Sequence, residues 1–344
     1  MLAATILAYK PLLALSGTSY TAGRFEGFTT LFFYGILFYA AKDHLRITKK
    51  EILFFITVQS LVALYAVLQF YKIDPLVEYL NYTKGSYSTI GNQNFLASFC
   101  LLLLILSSGF YLKEKKWLLL IFPVLFFGAI LASNTRGCWL AMIVVSVLSL
   151  FLLRYKKYWI HYFTLIATLV LVFVAMNYSS GSKIKHRTKT IKTELSLKDD
   201  KAGSGRVMIW MMSLDVIKKH PLFGAGPENL KEALKQTDNH RANEYYKLTG
   251  RTIDKAHNEL LHIGAVSGLP ALALYIVFIS VIFIKNRKAL FTGNIKTLLA
   301  FTIIAYLLQS LFNISVIAVA PLFWILLGVF AQNESSLAHN EAFI

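Results

Sequence analysis

The sequence predicts an all-α polytopic membrane protein with about nine transmembrane helices and one large, partly helical outer loop. Composition gives the first indication. Hydrophobic residues make up 56% of the 344 residues and charged residues only 15%, whereas soluble domains average about 25% charged. The mean hydropathy of +0.56 agrees. The second indication is clustering, because the apolar residues gather in blocks that can cross a bilayer, which takes about 17–25 residues as helix.

In chain order the spans fall near 27–43, 51–71, 92–112, 116–133, 137–153, 158–177, 268–285, 295–313 and 316–332. Flanking Tyr and Trp carry the shorter blocks into the interface. Ahead of them, MLAATILAY is too short to span, and Lys10-Pro11 interrupts it. No basic stretch with a cleavage site marks a signal peptide there. The chain is therefore expected to divide into four parts. These are an N-terminal bundle of about six spans at 1–177, an extracytoplasmic loop with amphipathic helices at 178–257, a three-span bundle at 258–333 and a cytoplasmic tail at 334–344.

Orientation follows from the short loops. Loops 42–50, 113–116, 154–157 and 285–296 hold 14 Lys and Arg, whereas the opposite connections hold only Arg24, Lys72, Lys84 and Arg136. The positive-inside rule places the first set in the cytoplasm and segment 178–257 outside. That outer segment carries 16 Lys and Arg against 9 Asp and Glu. An exported cationic surface points to an anionic ligand, or to anionic lipid of the outer leaflet. Nucleic acid is not an expected partner for a chain with this much membrane. Cys100 and Cys138 lie in or beside apolar spans, where they are expected to pack, and neither a disulfide framework nor a CxxC motif is present. No period of 20–50 residues repeats, which argues against a solenoid.

The outer loop opens with a polar tract, SSGSKIKHRTKTIKTELSLKDDKAGSG. From Arg206 its character changes. RVMIWMMSLDVIKKHP places Val207, Trp210, Met211, Leu214 and Ile217 on one helical face, and Pro221 ends the helix. That face either lies on the membrane or forms the core of a small outer domain. Arg206 at the helix start opposes the helix dipole unless an anion joins it. PLFGAGPENLKEAL follows, and Pro227 predicts a helix beginning at that residue. Gly224 and Gly226 ahead of it read as a plain turn or as an anion site made of free N–H groups.

At KAHNELLH, residues 255–262, Asp254 is the expected N-cap, which places His257 at the third helical position on the outer lip of the seventh span. The positive end of the dipole, with Lys255 and Arg251 nearby, disfavours the imidazolium form. A neutral imidazole can serve as a general base. The plainer reading is an interfacial histidine hydrogen-bonded to Asn258 or to a backbone carbonyl. His262 faces another side and reads as structural. In FGAILASNTRGCWLAM a short outer hairpin carries Arg136, and Ser133, Asn134 or Thr135 can cap the next helix. Arg136 is either a snorkelling anchor or a bidentate phosphate ligand.

The ordered set TRGCW, GR…W at the start of the outer helix, HPLFGAGPENL and AHNELL…SGLPALALY resembles the O-antigen ligase and polymerase family. YSTIGNQNFLASF and LFNISV…PLFWILLGV are similar as well. The resemblance covers nearly the whole chain, short of two or three N-terminal spans that family members carry. Those enzymes handle undecaprenyl-diphosphate-linked glycans. The resemblance implies a GT-C-like helical bundle in the bacterial cytoplasmic membrane, working on its extracytoplasmic face. It implies an inverting, metal-independent glycosyltransferase with no cofactor. Its partners would be a lipid-linked glycan donor, an acceptor hydroxyl on a glycan, lipid or protein, and membrane lipid. Carried over residue by residue, Arg136 and Arg206 grip the diphosphate and His257 activates the acceptor hydroxyl. Arg24, in the outer GRFEG segment, is a further candidate contact.

The chemistry points the same way. A diphosphate leaves readily once its charge is neutralised, either by a metal held on carboxylates or by arginines. The outer segment has no DxD pair, and Asp199-Asp200 sit side by side in the polar tract, so arginine has the better case. Ligase, polymerase and protein O-glycosyltransferase share these residues, so the sequence leaves all three open. A lipid-linked glycan flippase and a non-catalytic scaffold are the competing classes.

Overall fold

The computed structural model describes residues 1–17, 25–74, 85–150, 156–182, 184–185, 205–291 and 295–332. Arg24, most of the polar tract that opens the outer loop, and the expected tail at 334–344 lie outside the described residues. Every regular element among the described residues is helical. The α-helices are α1 (Leu2–Ile6), α2 (Pro11–Ser16), α3 (Phe28–Asp43), α4 (Lys49–Phe70), α5 (Gln93–Glu114), α6 (Ile121–Ala132), α7 (Arg136–Ser149), α8 (Trp159–Ser179), α9 (Arg206–Lys219), α10 (Leu230–Thr237), α11 (Asn239–Thr249), α12 (Glu259–Ser267), α13 (Leu269–Lys285), α14 (Ile295–Ser310) and α15 (Ala320–Phe330).

Three of these, α4, α5 and α8, are long and apolar enough to cross a membrane. The other expected spans carry shorter helices. The stretch 316–332, expected as one span, is helical only over Ala320–Phe330. Ahead of it the chain leaves helical geometry, and the Ser315 N–H donates to the Glu259 carboxylate at 2.6 Å. A contact to a residue far away in sequence sets that boundary, and hydropathy has no means of registering it.

The chain forms two compact units, each discontinuous in sequence. The first comprises Met1–Leu37, Thr190–Lys285 and Ser310–Trp324, and the second Phe38–Lys189, Asn286–Gln309 and Ile325–Ile344. In the second unit α5 is the central helix, buried continuously from Leu96 to Leu104. Gly109 of α5 leaves room for Leu298 of α14, and Gly128 of α6 leaves room for Val67 of α4. Cys100 and Cys138 are both buried, as packing residues would be. The Ser98 hydroxyl donates to Gln309 Oε1 at 2.9 Å, satisfying a polar pair inside an apolar core. An apolar cavity of about 400 Å³ lies among Leu104, Gly109, Phe127, Met142, Leu165 and Phe301.

The first unit packs α9 against α10, α12 and the segment before α12, burying Met208, Ile209, Met212, Val216, Leu230, Ala256 and Val266 in one core. Of the two readings of the apolar face of α9, the core of an outer domain is not what most of its residues form: Met211 and Leu214 are 50% and 44% exposed. Only Ile217 of the expected set is buried. The helix is apolar around most of its circumference, so period alone cannot choose a face. Ser213 turns inward with its hydroxyl satisfied, donating to the Ile209 carbonyl at 2.8 Å.

Candidate functional site

Arg136 begins α7 in the second unit, and its surroundings come from two sequence segments. Asn92 caps α5, accepting from the Asn94 N–H at 2.8 Å. Thr135 is the N-cap residue of α7, but its side chain does not cap that helix. Its hydroxyl instead lies 3.2 Å from the Gln93 carbonyl and 3.3 Å from Asn94 Oδ1. The N-termini of α5 and α7 are thereby held side by side. Arg136, half-buried, is the first residue of α7 at this junction. Gly85 itself lies against this turn, since a Cβ there would sit 2.6 Å from the Ser133 carbonyl oxygen.

Arg206 and His257 belong to the first unit. Arg206 is the first residue of α9, and its N-cap, Gly205, has φ 78°. Tyr245 covers that glycine closely, at 2.8 Å from where a Cβ would stand. The helix that Pro227 was expected to start begins instead at Leu230, with Asn229 as N-cap residue. The intervening Glu228 has φ 59° and turns back into the protein. The two glycines before it have a structural use. The N–H groups of Ala225 and Gly226 donate to the carbonyls of Ala265 and Val266 at 2.9 and 2.8 Å. Those donors satisfy the last turn of α12, so they do not form an open anion site.

The expectation for His257 also changes. Asn258, not Asp254, is the N-cap residue of α12, and its side chain accepts from the Leu261 N–H at 3.1 Å. His257 therefore stands just ahead of the helix, half-buried, with φ 50°. Lys255, expected to act on the imidazole, is itself held in an ion pair. Its side chain is almost completely buried, and Nζ donates to Glu228 Oε1 at 2.6 Å and lies 3.5 Å from Glu26 Oε2. Burial pushes the Glu26 carboxyl up to about 7, against the opposing pull of Lys255. Burial also raises the Glu259 carboxyl. His262 is buried on α12, as a structural residue would be.

Sequence reading missed the acidic members of this cluster, Glu26, Glu228 and Glu259. A signal was present, since each is a carboxylate inside one of the motif segments GRFEG, GPENL and AHNELL of an otherwise basic region. Backbone strain marks the same segments. Among the described residues eight non-glycine positions have positive φ, and three of these (Phe25, Glu228 and His257) fall one in each of these segments. A left-handed backbone costs about 1–2 kcal/mol for an ordinary residue, and such strain gathers at functional sites.

Residues 118–276 match the family model for O-antigen ligase. This stretch belongs to the O-antigen ligase family. A search of curated proteins returned no match. The O-antigen ligase region takes in Arg136, Arg206 and His257, together with Glu228, Lys255 and Glu259. Glu26 lies outside it yet joins the same buried cluster. The similarity implies membrane glycan processing of the O-antigen ligase kind.

Proposed function

We propose that the protein is a membrane glycosyltransferase that moves a glycan from an undecaprenyl-diphosphate carrier to an acceptor hydroxyl at the outer face of the cytoplasmic membrane. The observation that carries this reading is the O-antigen ligase match over 118–276, which contains every described residue assigned a role. His257 takes the proton of the acceptor hydroxyl as its oxygen bonds to the anomeric carbon. The bond from that carbon to the diphosphate oxygen breaks in the same displacement, which inverts the anomeric centre. Arg136 and Arg206 neutralise the departing diphosphate, in keeping with the planar fork of guanidinium on phosphate oxygens. Arg24 is a further contact on this reading. No metal or cofactor takes part. The cationic balance of the outer segment and the apolar cavity in the second unit support a lipid-linked anionic donor.

The test is the surface glycan of a strain lacking the gene. Accumulation of complete lipid-linked chains identifies a ligase, and accumulation of single repeat units identifies a polymerase. Loss of the surface glycan with lipid-linked intermediates retained on the cytoplasmic side would instead favour a flippase and end the transferase reading.

A further inference from the structure

The residues around His257 are anchored on both sides. Two positions before it, Lys255 is 1% exposed and bonded to Glu228. Directly after it, Asn258 caps α12, and Glu259 accepts from the Ser315 N–H at 2.6 Å. Between these anchors His257 holds φ 50°, a conformation that a histidine keeps only when its neighbours over-determine it. Ala256 is fully buried in the core of the first unit, so the segment cannot relax in that direction.

Stability alone is a poor reason for such a cluster. An ion pair removed from water gives up much of its attraction to desolvation, and apolar replacements are often neutral or stabilising. A buried pair does supply a fixed geometry. The groups facing Lys255 come from three separate stretches: Glu26, with the Tyr34 hydroxyl donating to it at 3.4 Å, then Glu228, and then Glu259. With Glu26 pushed up to about 7, the single ammonium does not have to balance three full carboxylates near neutral pH.

We propose that Lys255, clamped by Glu228 and Glu26, is a positioning residue that sets the placement of His257 for proton transfer. The proposal rests on the reading of His257 as general base. A misplacement of about 1 Å can cost about 100-fold in rate. That is the effect expected here, on transfer and not on donor affinity.

The experiment uses the full chain in lipid nanodiscs, with lipid-linked glycan isolated from the deletion strain as donor and undecaprenyl diphosphate as binding probe. Lys255→Met should lower single-turnover transfer per folded molecule by about 100-fold, with affinity for undecaprenyl diphosphate changed less than twofold. A neutralised variant, Lys255→Met with Glu26→Gln and Glu228→Gln, should regain thermal stability without regaining the rate. Full rate per folded molecule in either variant would reduce the cluster to a structural element. If Lys255→Met does not accumulate, the neutralised variant decides alone. His257→Ala, run in parallel, separates the two claims. If it retains transfer, the base reading fails. If it is inactive while the Lys255 variants keep full rate, only the positioning role fails.

Discussion

The Ala225 N–H donates to the Ala265 carbonyl at 2.9 Å, joining the glycine loop after α9 to the end of α12. The approach is so close that a Cβ on Gly224 would lie 2.4 Å from the Val266 carbonyl carbon, and one on Gly226 would lie 2.2 Å from Ala8 Cβ. Both glycines also have positive φ. Gly224→Ala therefore meets backbone, which cannot yield as a side chain can. It should cost at least the ~1–2 kcal/mol of left-handed geometry. A thermal unfolding scan checks this, and a wild-type midpoint would show that the loop can move away from α12.

As diphosphate ligands, Arg136 and Arg206 should tolerate Lys poorly, because a point charge cannot reproduce the planar fork. Losing one charge-assisted bond costs about 1.5–3 kcal/mol, or roughly ten- to 150-fold in transfer. Transfer should also persist in excess chelator. Unchanged rates in both Arg→Lys variants would leave the arginines as interfacial anchors, and loss of activity on chelation would bring in a metal.

His257→Ala should remove most transfer while leaving binding of undecaprenyl diphosphate largely intact. His257→Gln should not restore it, since an amide can hydrogen-bond but cannot accept a proton near pH 7. His262→Ala should keep its rate per folded molecule, because that side chain is packed into α12's buried face. Single-turnover kinetics with a parallel binding assay distinguishes these outcomes, and an active Gln variant would rule out a general base.

Glu26 makes the first unit sensitive to pH in a defined direction. Its carboxyl is raised from 4.5 to about 7 by burial, so between those values the folded protein holds a proton that the unfolded chain releases. Its contribution to stability is complete below about pH 4.5, declines as pH rises, and is lost above about pH 7. Glu26→Gln removes this dependence. The variant and the wild type should melt at similar temperatures at pH 5, and the variant should gain relative to the wild type by pH 8. A constant difference across that window would mean that Glu26 titrates normally.

Much of the architecture was legible in the sequence because its signals are local. Long apolar blocks exclude water whatever they pack against, so the helices and the membrane class follow from hydropathy. The end of α9 before Pro221 follows from breaker chemistry within a few residues. Tertiary structure decided where local signals were degenerate. Asp254 and Asn258 are both competent caps, and burial of Ile253, Lys255 and Ala256 holds the chain out of helix until Asn258. The apolar circumference of α9 allowed several faces, and α12 selected one. The glycines of GAG offered N–H groups to an anion, but the carbonyls of α12 took two of the donors that follow Gly224. Lys255 and Glu228 lie 27 residues apart. Nothing in either segment by itself specifies that its charge will be buried against the other, because that pairing exists only once the core between them has formed.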